Sequence, residues 1–402
     1  MSDSATPTAP RAGSGKHRIF VSTGSTSSDV LFSPILAEII RRGEVGEAVG
    51  VGGRRLADLG VNLLFDTTPT SSVGIVNGLL TTVRHAAGVF GAVRRAEDYF
   101  RKSKPDLCLF VDNPGQNLRA LALARGCGRT TMYCIPPEVW SLFRWELRGL
   151  IEKADVVATI LKSEGEHYRR RGARGRWVGH PLVDLLAAIP RPAPNPSDAP
   201  LIGLFPGSRR SEVLELLPVL CGAAELLLRD LPKARFVMSV ANDVVGPLIR
   251  AFAPLKDLPV ELAQRNSQQI IAGCDLLLTC SGTVTLEAAV LGVPQVTMYR
   301  LSLWIDRVIQ QVLLQYSHFK HFALPNFLLD KDVVPEIWSE RVTAENVAES
   351  ARQVMTETAC RRIMDEGYAE VRELLGPPGA ISRAADLIQE TLNHPPKRRI
   401  FW

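Results

Sequence analysis

The chain lacks any apolar run long enough to cross a bilayer as a helix, which takes about 20 residues. The nearest stretch, residues 72–83, is interrupted by Arg84. A soluble or peripheral protein is expected. The 7 cysteines are scattered, with no CxxC pair and no metal-like spacing. That excludes a zinc framework and suits reduced thiols in a cytosolic chain. Residues 1–16 are rich in Ser, Thr, Pro, Gly and Ala. They lack the apolar core of a signal peptide and read as a floppy tail. Their Gly13-Ser14-Gly15-Lys16 resembles half a P-loop. His17 stands where Ser or Thr is needed, and the strand follows instead of preceding, so a P-loop is excluded. There is no repeat of solenoid period. No Asp-x-Asp metal pair occurs in a plausible place, so neither metal nor cofactor is expected.

What is present is a globular composition, 46% hydrophobic and 22% charged over 402 residues, long enough for two domains. The net charge of +5 suits anionic small molecules or a membrane surface as well as nucleic acid, and decides nothing alone.

The pattern alternates. An apolar strand at Ile19–Val21 runs through a Ser/Thr/Gly turn into an amphipathic helix from about Asp29. Buried strands are expected at 106–112, 130–137 and 154–160, with helical patterns between them. Then "IPRPAPNPSDAP", residues 189–200, forms a stiff proline-rich linker. After it come strands in "LIGLFP", "ARFVMSV", "DLLLTC" and "PQVTMY", with helices from about Ser211, near 243–253 and at 284–291. Helices near 344–373 and 380–393 close the chain. Alternating strands and helices argue an α/β fold with parallel sheets covered on both faces. The expected architecture is two Rossmann-like doubly wound domains facing a central cleft. The first covers 17–188 and the second 201–374, and the helices at about 375–393 are free to pack back on the first. Ligands in such sheets bind beyond the strand C-terminal ends.

Two strand-to-helix turns in the second half have the chemistry for a diphosphate. In "FPGSRRSEV", Gly207 permits close backbone approach, Ser208 and first-turn amides suit an anion, and Arg209 adds a forked cation. Glu212 fits a first-turn acid or a capping partner. In "LLLTCSGTVTLEAAVLGVP", Ser281, Gly282 and Thr283 open a helix, and Glu287 lies one turn in. Its carboxylate suits vicinal hydroxyls such as a ribose, or it merely complements the helix dipole. In the first half, Asp112 ends a strand in "FVDNPGQN". It suits a general base on a hydroxyl, or a turn cap. His180 in "GHPLVD" reads as structural. His318 and His321 show no carboxylate partner pattern and are not expected to bind metal. Residues 72–100 mix apolar side chains with arginines, which suits either a lipid-facing segment or a core-facing helix pair. The end, "KRRIFW", is basic and aromatic and suits an anionic membrane surface or a free tail.

The ordered set "VGVGGRRLADLG", "VGIVNGLL", "PDLCLFVDNPGQN", "VGHPLVD", "LFPGSRRSEV", "CSGTVTLEAAVLGVPQVTMYR" and "LPNFLLDKDVVPE" resembles the bacterial lipid-A-disaccharide synthase family over nearly the whole chain. That resemblance implies an inverting glycosyltransferase of the two-Rossmann (GT-B) type, peripheral on the cytoplasmic face of the inner membrane, with no nucleic acid partner. It implies UDP-2,3-diacylglucosamine as donor and 2,3-diacylglucosamine 1-phosphate (lipid X) as acceptor. The products are lipid A disaccharide 1-phosphate and UDP. Asp112 then matches the general base. Gly207, Ser208, Arg209, Ser281, Gly282, Thr283, Glu287, Tyr299, Arg300 and Asn326 match the nucleotide-sugar side. Gly24, Ser27, Asp29, Asn117 and Trp140 fall on the acceptor side.

Most of the departures fall on that acceptor side. The family's Ala-Gly-Glu-x-Ser-Gly-Asp turn is Thr23-Gly24-Ser25-Thr26-Ser27-Ser28-Asp29 here. Its Asp-x-Pro-Asp-Phe-Asn is Asp112-Asn113-Pro114-Gly115-Gln116-Asn117. Segment 135–146 keeps Trp140 and little else, and Ser339 replaces a glutamine. The rival readings are a divergent UDP-sugar transferase or epimerase-like enzyme with another acceptor, and a non-catalytic UDP-sugar-binding homologue.

Overall fold

Side-chain alternation along the strands sets the layers. A computed structural model describes residues 15–66, 91–136, 144–190, 199–252, 258–264, 266–300 and 320–397. The chain divides into two units, residues 1–184 with 375–402, and residues 185–374.

The sheet of the first unit contains β1 (His17–Thr23), β2 (Val45–Gly52), β3 (Asn62–Asp66), β4 (Leu107–Val111), β5 (Thr130–Cys134), β6 (Val156–Thr159) and β7 (Gly175–Trp177). Its order is β3-β2-β1-β4-β5-β6-β7, and the pairings are parallel. Successive side chains of a strand point to opposite faces. Ile19 and Val21 of β1, with Leu107, Leu109 and Val111 of β4, therefore join one buried cluster. Phe20, Cys108 and Phe110 join the other. The first cluster is capped by the helices Thr26–Arg41 and Ala380–Asn393. Ile35, Leu36 and Ile39 of the former pack with Ala384, Ala385 and Ile388 of the latter. Asp184 fastens this last helix by accepting from the amides of Gly379 and Ile381.

The second unit repeats the plan. β8 (Leu201–Phe205), β9 (Arg235–Ser239), β10 (Val260–Ala263), β11 (Leu276–Cys280), β12 (Gln295–Tyr299) and β13 (Glu336–Trp338) are ordered β10-β9-β8-β11-β12-β13, again parallel. The helix Arg210–Asp230 buries Val213, Leu216, Leu217, Leu220 and Leu227, and lies beside the helix Ala344–Thr356.

In both sheets the strand order reverses, between β1 and β4 and between β8 and β11. Such a reversal opens a crevice at the strand C-terminal ends, because the flanking connections leave to opposite sides. The α/β doubly wound plan expected from the sequence is present in each unit. No helix among the described residues is long and apolar enough to cross a membrane. Segment 67–90, Trp140, residues 191–198 of the linker, His318 and residues 398–402 lie outside the described residues.

Candidate active site

At the first reversal, β4 hands the chain to Asp112 and Asn113, both in the left-handed region with φ 51° and 43°. Two consecutive non-glycine residues there are strained by roughly 1–3 kcal/mol each, a mark of functional turns. Backbone bonds hold them. The Asp112 amide donates to the Cys134 carbonyl at 3.0 Å. The Asp112 carbonyl accepts from the Tyr133 hydroxyl at 2.7 Å and from Asn117 Nδ2 at 2.8 Å. The carboxylate is half-buried, and its Oδ2 accepts from the Ser28 hydroxyl at 2.9 Å.

The facing turn comes from β1. Ser25 caps the helix Thr26–Arg41 by accepting from the Ser28 amide at 3.2 Å. Gly24 runs close to Asn113, whose Nδ2 donates to its carbonyl at 3.0 Å. A Cβ on Gly24 would fall 2.0–2.4 Å from the Asn113 side chain. Ser27 is exposed, and Asp29 is buried, accepting from the Thr23 hydroxyl. Burial raises the Asp29 pKa, against the lowering pull of Thr23, the Gly53 amide and Arg55.

Asn117 is fully buried. Its Nδ2 reaches the carbonyls of Ser22, Val111 and Asp112 within 3.2 Å, and its Oδ1 accepts from Ser22 Oγ at 2.7 Å. It ties β1 to β4 and leaves no polar atom for a ligand. On the acceptor side, where the resemblance puts it, Asn117 shapes the Asp112 turn.

The second unit places Pro206-Gly207-Ser208-Arg209 after β8 and Ser281-Gly282-Thr283 after β11, at the other reversal. The first turn is closed on itself. Glu212 Oε2 accepts from the amides of Ser208 and Arg209 at 3.1 and 3.2 Å, and Oε1 accepts from Arg209 Nη1 at 2.8 Å. Of its two possible uses, capping is the one realised. The amides that suit an anion hold an internal carboxylate. Gly207, at φ +108°, lies so close that a Cβ would sit 2.5 Å from Glu212 Oε2.

In the second turn, Ser281 spends its hydroxyl on the Phe322 carbonyl and its amide on the Met298 carbonyl. It therefore builds the turn and does not present its hydroxyl outward. Gly282 and Thr283 are exposed, and the helix Thr283–Leu291 begins there with first-turn amides that a helix leaves without internal partners.

Glu287 is 7% exposed. Its Oε1 accepts from Gln268 Nε2 at 3.3 Å, while Oε2 is buried with no hydrogen-bond partner. Desolvation pushes its pKa up to about 7 against the pull of Gln268. A buried carboxylate oxygen without a donor is costly to ionise.

Tyr299 stacks on Phe322 at 4.8 Å and 18°. Arg300 pairs with Glu215 at 3.3 Å. Asn326 is fully buried; Nδ2 donates to the Val334 carbonyl and Glu336, and Oδ1 accepts the amides of Val333 and Val334, all within 2.9 Å. Its capacity is spent, so the assignment of Asn326 to nucleotide contact is replaced by a bracing role.

Glu336 was not singled out as a site residue by sequence. It accepts from the amides of Phe322 and Ala323 and so fixes the loop that meets Ser281. Its pKa is raised by burial. Its partners lie 10–14 positions away, beyond any local signal.

His180 is buried and structural, as its sequence setting suggested. Nδ1 accepts the Leu182 amide at 3.1 Å, and desolvation lowers its pKa to about 4. His321 differs from expectation: it lies 3.8 Å from Asp330 and 3.7 Å from Asp332. Among the described residues no group of three or more His, Cys, Asp or Glu side chains is placed to hold a metal.

The lipid-A-disaccharide synthetase family model matches residues 19–389. A lipid-A-disaccharide synthase from Synechocystis sp. is 32% identical, covering 95% of this chain and 100% of its own. Among solved structures, a UDP-GlcNAc 2-epimerase from Neisseria meningitidis bound to UDP-GlcNAc superposes with TM-score 0.61 at 14% identity, covering 94% and 99% of the two chains. The calicheamicin glycosyltransferase gives TM-score 0.60 at 15% identity, covering 94% and 99%. At such identities the solved structures speak for the fold alone.

Proposed function

Because the chain belongs to the lipid-A-disaccharide synthetase family, as a glycosyltransferase of lipid A biosynthesis, we propose that it joins UDP-2,3-diacylglucosamine to lipid X. The products are lipid A disaccharide 1-phosphate and UDP. The first unit takes the acceptor and the second the donor.

The observation that carries the donor assignment is Glu287. Its buried, unpartnered Oε2 lies one turn inside a helix whose exposed N-terminus follows β11 at the strand-order reversal. A ribose diol supplies the missing donor, and the diphosphate meets the helix amides. Arg209 gives further positive potential where charge grows on the leaving group. For Arg209 and the Ser208 amide to serve a diphosphate, Glu212 has to give them up.

Asp112 acts as general base. It removes the proton from the acceptor's primary hydroxyl as that oxygen attacks the anomeric carbon from the face opposite UDP, with inversion. Its strained backbone is held on both sides, which fixes where the side chain leaves the turn. Acyl chains on both substrates suit a peripheral enzyme at a membrane surface, for which the family resemblance implies the cytoplasmic face of the inner membrane.

The test is a product assay. Purified protein, UDP-2,3-diacylglucosamine and lipid X are expected to release UDP and form a disaccharide detectable by mass spectrometry. UDP binding without lipid X-dependent release contradicts the acceptor assignment.

A further inference from the structure

Ser28 is 1% exposed, yet its hydroxyl is not used to pack the core. It donates to Asp112 Oδ2 at 2.9 Å, across 84 positions of sequence. Ser28 Oγ also lies 2.7 Å from Ser25 Oγ, which lies 3.0 Å from Ser27 Oγ. Ser25 is fixed as the helix N-cap through the Ser28 amide. With its one proton committed to the carboxylate, Ser28 Oγ accepts from Ser25. Ser25 in turn accepts from the Ser28 amide, and Ser27 is within reach to donate to it. The chain of hydroxyls thus runs from the exposed Ser27 to the carboxylate with one direction of donation. Ser25 and Ser28 are also two positions where this turn departs from the pattern it resembles.

We propose that Ser28 is a positioning residue for the reaction: supported by Ser25, it holds the Asp112 carboxylate in the orientation that takes the acceptor proton. This rests on Asp112 being the general base. The backbone bonds at Asp112 fix its Cα but leave χ1 and χ2 free. The Ser28 hydroxyl is the side-chain contact that selects a rotamer. It also satisfies Oδ2, so the lone pairs of Oδ1 are left for the incoming hydroxyl. A glycine at position 28, as in the pattern this turn resembles, could make no such bond.

The test compares Ser28→Ala, Ser28→Thr and Ser25→Ala with wild type by steady-state UDP release, with thermal midpoints recorded for each. Wild-type release that depends on lipid X establishes the underlying reading separately. Ser28→Ala is expected to lower kcat about tenfold, the scale of one hydrogen bond to a charged group, with donor KM unchanged. Ser28→Thr restores the rate to within about threefold, and Ser25→Ala loses less than Ser28→Ala. In an Asp112→Asn background Ser28→Ala makes no further difference. A Ser28→Ala enzyme at the wild-type rate overturns the proposal. So does an equal loss in both backgrounds, which is the mark of a purely structural role, or a failure of threonine to rescue in a variant with the wild-type midpoint.

Discussion

Arg209 and Glu212 bind each other twice: through the guanidinium at 2.8 Å and through the Arg209 amide at 3.2 Å. The carboxylate sits where an anionic ligand would meet the same donors. A negative side chain at a helix N-terminus is stabilising, and so is a bound phosphate, but the two compete for the same amides.

Removing the charge while keeping the shape separates these effects. Glu212→Gln is expected to tighten UDP binding several-fold. It should also lower stability by about 0.5–1 kcal/mol through the weakened cap. Isothermal titration with UDP and chemical denaturation check the two signs, and weaker UDP binding contradicts the competition.

Under the proposed donor assignment, Glu287 would tie nucleotide binding to stability. Its folded pKa is raised from an ordinary 4.5 to about 7. Between these values the unfolded chain releases its proton before the folded one does. Stability is therefore full below pH 4.5 and falls as pH rises to 7, by roughly 3 kcal/mol at most. Glu287→Gln should abolish this loss, so the variant is more stable than wild type at pH 8 while binding UDP at least tenfold more weakly. Denaturation at pH 5 and pH 8 checks the sign.

His180 acts in the opposite direction. Its folded pKa is lowered from 6.5 to about 4. Below pH 6.5 the unfolded state takes up a proton that the folded state refuses. Stability is full above 6.5 and lost as pH falls toward 4, by roughly 3 kcal/mol from this residue. A His180→Asn variant should show a shallower decline over that window in the difference between the two stability curves. Parallel curves sink the assignment.

Much of this organisation was legible in the sequence where one strand, a small-residue turn and a helix were contiguous. The seams at Gly207–Arg209 and Ser281–Thr283, and Asp112 at a strand end, were found in that way. β7 and β13, each 3 residues long, gave no period to read. The helix after β1 begins at Thr26, not near Asp29, because the Ser25 hydroxyl caps it.

The direction of side chains was less legible. Asn117 and Asn326 are spent on backbone groups of neighbouring segments, which only the folded chain brings near. Glu287 turns to Gln268 across 19 positions. The carboxylates flanking His321 lie 9 and 11 positions on, beyond a loop that sequence spacing does not close.

The division of labour between the two units is tested most directly by one paired measurement on Asp112→Asn: UDP affinity and lipid X-dependent UDP release, each against wild type. The expected result is unchanged UDP affinity with release lowered at least a hundredfold, the scale of general-base catalysis. Release at the wild-type rate would contradict the account, because the proton would then leave the acceptor by a route that Asp112 does not provide.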